Sequence, residues 1–110
     1  MGKIKAIVKR PDEPTGHMTH ISNTLENLQS IVGGYIETVT LPTGCVLICN
    51  EEGKLNGLPK NFRYGITIPD TICGTVIVVG TDGEDFSDVP IDLGQWRLML
   101  ELWGNNTKTP

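Results

Sequence analysis

The chain has 110 residues, 38% hydrophobic and 20% charged, a balance that fits one globular domain and leaves no length for a second core. Nine Lys and Arg against thirteen Asp and Glu give a formal charge of -4. That argues against bulk electrostatic binding to DNA or RNA and is too weak for a dense acidic mimic of duplex phosphates.

The opening residues carry Lys3 and Lys5, but the apolar run behind them, Ala6-Ile7-Val8, stops at Lys9-Arg10. A secretory core needs a longer run, and a membrane helix needs about twenty apolar residues. Gly2 lacks the hydroxyl residue at position six that a myristoylation motif requires, since Ala6 stands there. Cys45, Cys49 and Cys73 are odd in number and lie within apolar runs, the pattern of reduced, buried thiols. A cytoplasmic protein away from the membrane is expected.

Residues 3–9 are short, β-branched and flanked by charge, which predicts a first strand with Lys3, Lys5 and Lys9 on an edge or a solvent face. Residues 11–19 read as a polar connection. Ile21, Leu25, Leu28, Ile31 and Val32 then fall on one helical face, with Asn23 and Glu26 as a capping-box-like start and Gly33-Gly34 as the stop. Residues 35–41 alternate, Pro42-Thr43-Gly44 makes a turn, and Cys45 to Cys49 is apolar on both faces. These predict an antiparallel hairpin whose second strand is interior. Between residues 50 and 64 periodicity fails. Such a long irregular stretch, about twenty residues to the next clear element, is commonly functional. Leu55, Leu58, Phe62 and Tyr64 predict that it packs, with a helical turn after Pro59.

Thr75 to Val79 is a second uniformly apolar strand, and residues 80–85 an acidic turn. Asp92 caps a last helix that includes Trp96, Leu100 and Trp103, weakened near its start by Gly94. Residues 105–110 read as a polar tail. The class is therefore α+β: a single domain over residues 1–110, with a mixed or antiparallel sheet of four to five strands and two helices packed on it.

Several clusters carry side chains capable of chemistry. His17 and His20 are two ligands at most, too few for a structural zinc site, and no metal or cofactor is expected. Cys45 and Cys49 share a strand face about 13 Å apart, too far for a disulfide, and read as core. Asp82, Glu84, Asp85 and Asp88 lack the ligand spacing of a calcium loop. No P-loop, dinucleotide fingerprint or activated serine occurs, so no catalytic residue is expected. The richest set is Asn50, Glu51, Glu52 and Lys54 at the end of an interior strand, with Asn61, Arg63 and Tyr64 a short loop later. It offers amide, carboxylate, ammonium, guanidinium and phenol groups to a polar or anionic ligand. For a nucleotide, Lys54 and Arg63 would face phosphate and Tyr64 would stack.

The segments Lys5-Ala6-Ile7-Val8-Lys9-Arg10-Pro11, Gly33-Gly34-Tyr35-Ile36-Glu37 and Cys49-Asn50-Glu51-Glu52-Gly53-Lys54-Leu55, together with Gly57-Leu58-Pro59, Asn61, Gly74-Thr75 and Gly83-Glu84-Asp85-Phe86, resemble a family of small proteins of unknown function. Its members are carried by phages and by conjugative transposons of gut bacteria. The resemblance covers residues 3 to about 88, with Asn-Glu-Glu-Gly-Lys its most specific part. It implies a mobile-element setting and transfers no site residue.

The expected function is thus a non-enzymatic accessory protein of such an element, binding a protein or a small polar, nucleotide-like ligand through the seven residues named, with host-defence evasion as one role. One alternative is a homodimeric interaction module using a Trp96–Trp103 helix face, although that face is expected to cover the sheet. The other is a metal-assisted hydrolase, which requires Glu51 and Glu52 to converge with the acidic turn at 82–88.

Overall fold

A computed structural model describes residues 2–108. The strands are β1 (Lys3–Lys9), β2 (His17–Ser22), β3 (Ile36–Thr40), β4 (Val46–Asn50), β5 (Lys60–Tyr64), β6 (Asp70–Cys73), β7 (Val76–Asp82) and β8 (Asp85–Ser87). The helices are α1 (Leu25–Val32) and α2 (Leu93–Leu102). The main sheet runs β2-β1-β7-β4-β3, with β8 paired to β7, while β5 and β6 form a separate two-stranded ribbon. Among the described residues every strand pairing is antiparallel. The class is α+β, with more strands than the four to five expected.

The two uniformly apolar segments form the middle of the sheet because both of their faces are covered. Leu47, Cys49, Val76 and Val78 point into one cluster with Phe62, Ile72, Trp96 and Leu100. Val46, Ile48, Ile77 and Val79 point into the other with Ile4, Ala6, Leu28 and Val32. Alternate residues of β4 and β7 thus serve opposite layers. α1 covers one face, and α2 with the β5–β6 ribbon covers the other.

Topology explains the ribbon. The chain leaves β4, makes the whole excursion 51–75, and returns as β7 between β4 and β1. The excursion therefore stays beside β4, on the face away from α1. Gly33, at φ 81, ends α1 in the left-handed conformation that favours glycine, and its N–H donates to Gln29 O.

Several expectations are corrected. α1 begins later than predicted: Thr24 is its cap, Oγ1 accepting from Asn27 N at 3.2 Å. Asn23 instead donates to Phe86 O, and Ile21 belongs to β2, paired with Ile4. The supposed polar connection, residues 11–19, overlaps the start of that edge strand, where Ile21 alone is buried. Pro59 leads into β5 rather than a helical turn, and Leu55 is exposed. The acidic turn joins a β7–β8 hairpin. Lys9 guards nothing: it is only 3% exposed, with Nζ donating to Asn61 Oδ1 at 2.6 Å. Residues 105–108 are no free tail either, because Asn105 is bonded to Arg63 O and Leu100 O and Thr107 is buried. Residues 109 and 110 lie outside the described residues. Asp92 caps α2 as expected, in a capping box completed by Gln95.

Candidate functional site

The excursion and the β3–β4 edge enclose a cavity of about 220 Å³. β3 contributes Glu37 and Val39, and β4 contributes Cys49 and Asn50. The turn residues 51–55 form one rim, while Tyr64 and residues 70–73 form the opposite wall.

The irregular rim is held by its own hydrogen bonds. Asn50, 8% exposed, donates from Nδ2 to Val32 O at 3.2 Å and accepts at Oδ1 from Glu52 N at 2.8 Å. It ties the end of α1 to the start of the turn. Glu51 N donates to Tyr35 O, Asn56 N to Glu52 O and Leu58 N to Gly53 O. Those bonds satisfy the backbone and leave the Glu51 and Glu52 side chains exposed.

Lys54 Nζ donates to Asp70 Oδ1 at 2.6 Å across the opening. Both side chains are over half exposed, so the pair adds little stability. It does set local charge. The Lys54 bond, with the Thr71 N–H, holds the Asp70 carboxyl below its usual range, and the same bond raises Lys54. Burial, followed by the fields of Asp70, Cys49 and Glu37, raises the Tyr64 phenol. Burial first, and then Glu37, pushes the Cys49 thiol from 9.0 up to about 11.

The Cys49 shift has two measurable consequences. The thiolate is the reactive form, so Cys49 is expected to resist iodoacetamide at pH 8 in the folded chain and to react only on unfolding. A thiol whose folded value exceeds its unfolded one keeps its proton longer in the native state. Its contribution to stability is therefore full below pH 9 and is lost progressively as pH rises through about 11. Peptide mapping after alkylation checks the first point; comparing the alkaline unfolding profile with that of Cys49→Ala checks the second.

Of the seven residues singled out in the sequence, the structure brings Asn50, Glu51, Glu52, Lys54 and Tyr64 to this cavity. Asn61 and Arg63 lie elsewhere. Arg63 alternates with Tyr64 on β5 and so points the other way, while Asn61 lies at the register shift between Lys60 and Phe62. Asn61 Nδ2 donates to Lys9 O and Gly74 O, both at 2.8 Å, so its Oδ1 is left to receive Lys9. Arg63 Nε donates to Trp103 O at 3.1 Å at the end of α2. Both side chains hold the ribbon to the body of the domain.

Glu37, Asp70, Thr71 and Cys73 also line the cavity, beside the apolar Val39, Leu55 and Ile72, and these four were not picked out as site residues from sequence. Register carries the signal that would have found two of them: Glu37 faces Cys49 across the β3–β4 hairpin, and Asp70 faces Tyr64 across the ribbon.

The second acidic segment is not part of this site. Asp82, Asp85 and Asp88 border a different depression with Lys3 and Asn23, and Asp88 Oδ1 accepts from Lys5 N at 2.7 Å. Among the described residues no three His, Cys, Asp or Glu side chains are grouped to hold a metal ion, and no helix is long and apolar enough to cross a membrane. Trp96 is fully buried and Trp103 is partly buried, stacked on Phe62 at 6.2 Å, so that helix face covers the sheet.

These features define a small α+β domain with a cavity of mixed polar and apolar lining between a sheet edge and an accessory ribbon. The chain belongs to the family described as a domain of unknown function (DUF3846), whose model matches residues 4–102. Neither a curated protein nor a solved structure matches it.

Proposed function

We propose that the chain is a non-enzymatic accessory protein of a conjugative transposon or phage, acting by binding a small polar ligand in the cavity between the β3–β4 edge and the β5–β6 ribbon. The observation that carries this reading is that Asn50, Glu51, Glu52 and Lys54, neighbours at the end of β4, meet Tyr64 of the β5–β6 ribbon at one cavity. The mobile-element setting rests on the resemblance set out above, and sequestering a host-defence molecule is a role that suits a binder of this size.

Size and charge narrow the ligand. At about 220 Å³ the cavity is below the roughly 300–1,000 Å³ of sites for drug-sized molecules. Four carboxylates (Glu37, Glu51, Glu52, Asp70) line it against one ammonium, Lys54, and that ammonium is already paired. A nucleotide phosphate would meet repulsion there, and Arg63, the second cation it would need, is engaged at the end of α2. A compact ligand rich in donors or carrying a cationic group is the better complement.

A thermal-shift screen over amino acids, small amines, polyamines, nucleotides and cyclic nucleotides tests this. Small donor-rich or cationic compounds are expected to raise the melting temperature of the wild type, and Tyr64→Ala and Asp70→Asn to abolish the rise. If none of these compounds shifts the wild type, or the shift survives both substitutions, the cavity is not the binding site.

A further inference from the structure

We propose that the outer ridge of α2, with the tip of the β5–β6 ribbon, is the surface on which a second copy of this chain docks, the two α2 helices lying antiparallel about a two-fold axis. A helix resting on a core ordinarily carries one apolar stripe and a polar outer face. α2 carries two stripes. Trp96 and Leu100 point inward and are fully buried, whereas Leu98 and Leu102, one turn apart, are 59% and 72% exposed. The ribbon extends the outer stripe: Ile66, itself 74% exposed, shares a depression with Leu102 and Trp103. Ile68 is exposed on the same ribbon tip.

The surface is self-complementary, which is what an isologous contact demands. At 100° per residue, Arg97 and Glu101 lie on the same flank of the Leu98–Leu102 ridge. In an antiparallel pair each flank meets its own counterpart. Arg97 of one copy then lies beside Glu101 of the other, twice over. Both groups are available for this. The ion pairs among the described residues are His17–Glu13 and Lys54–Asp70, and Glu101 uses only Oε1, accepting from Thr107 Oγ1 at 2.8 Å.

Sedimentation equilibrium of the full chain over a concentration series is the test, with thermal melts to show that each variant is folded. The wild type is expected to reach a dimer. Leu98→Glu should give a monomer, and Arg97→Glu should weaken association at least about tenfold by placing like charges together. The double variant Arg97→Glu/Glu101→Arg should restore the dimer, an outcome that a general surface effect would not produce. A wild type that stays monomeric at its highest soluble concentration overturns the proposal. So does a dimer indifferent to Leu98→Glu, or a charge reversal without rescue.

Discussion

Trp96→Ala is expected to remove about 3–5 kcal/mol of stability, a large share of the roughly 5–15 kcal/mol that holds a domain folded. The ring is fully buried. It packs edge-on against Phe62 at 5.4 Å and against Trp103 at 5.8 Å, so it joins the ribbon and α2 in one aromatic cluster. Its Nε1 donates to Thr15 O at 3.0 Å, and alanine would leave that carbonyl without its partner as well as opening a cavity. The melting temperature should fall by more than about 10 °C. Urea titration measures the change directly, and a loss below about 1 kcal/mol would show that the ribbon and α2 do not pack as described.

Gly53→Ala is the second large effect, and it falls on the site. A Cβ there would lie 2.7 Å from Cys73 O and 3.5 Å from Asn50 O. Both are backbone atoms, so no flexible side chain can yield. Either the turn or β6 must move, and the two form opposite walls of the cavity. Overpacking of this kind costs about 1–3 kcal/mol, and the displaced wall should expose Cys73, now only partly buried. Faster alkylation of Cys73 together with a lower melting temperature is expected. A variant within about 0.5 kcal/mol of wild type, the range of an ordinary surface substitution, would mean that the turn does not close on β6.

What could be read from sequence depended on whether one residue type dominated a segment. β4 and β7 are apolar at every core position, a pattern that only a strand covered on both faces tolerates, and their place mid-sheet was legible for that reason. Asp92 announces the start of α2 as an N-cap residue, and the structure adds Gln95 as the other half of a capping box. β2 was not legible. In His17-Met18-Thr19-His20-Ile21-Ser22 only Ile21 is buried, so an edge strand looks like a polar loop. The ribbon was hidden differently. β5 and β6 have five and four residues, and a register shift between Lys60 and Phe62 breaks the alternation that would have revealed them.

The site divides in the same way. Asn50, Glu51, Glu52 and Lys54 are neighbours in sequence at the end of an interior strand, so their grouping needs no tertiary information. Tyr64 reaches them only because the excursion folds back. Arg63, next to it, faces the other way, which proximity along the chain cannot reveal without the strand. Asp70 and Glu37 come from cross-strand pairing, and Lys9 shows the limit of reading charge as surface. Its ammonium is desolvated, which lowers its pKa against the opposing pull of Glu13 and Asp12, and it is held by an asparagine that sequence reading assigned to a ligand.

Amide chemical-shift mapping with the compound that most stabilises the chain in the thermal screen tests the proposed cavity most directly. The predicted result is a cluster of perturbations at Glu37, Val39, residues 49–55, Tyr64 and residues 70–73, with α1 and residues 82–88 silent. Perturbations centred on the Asp82–Asp88 depression or on the outer ridge of α2, with residues 49–55 unmoved, would contradict it.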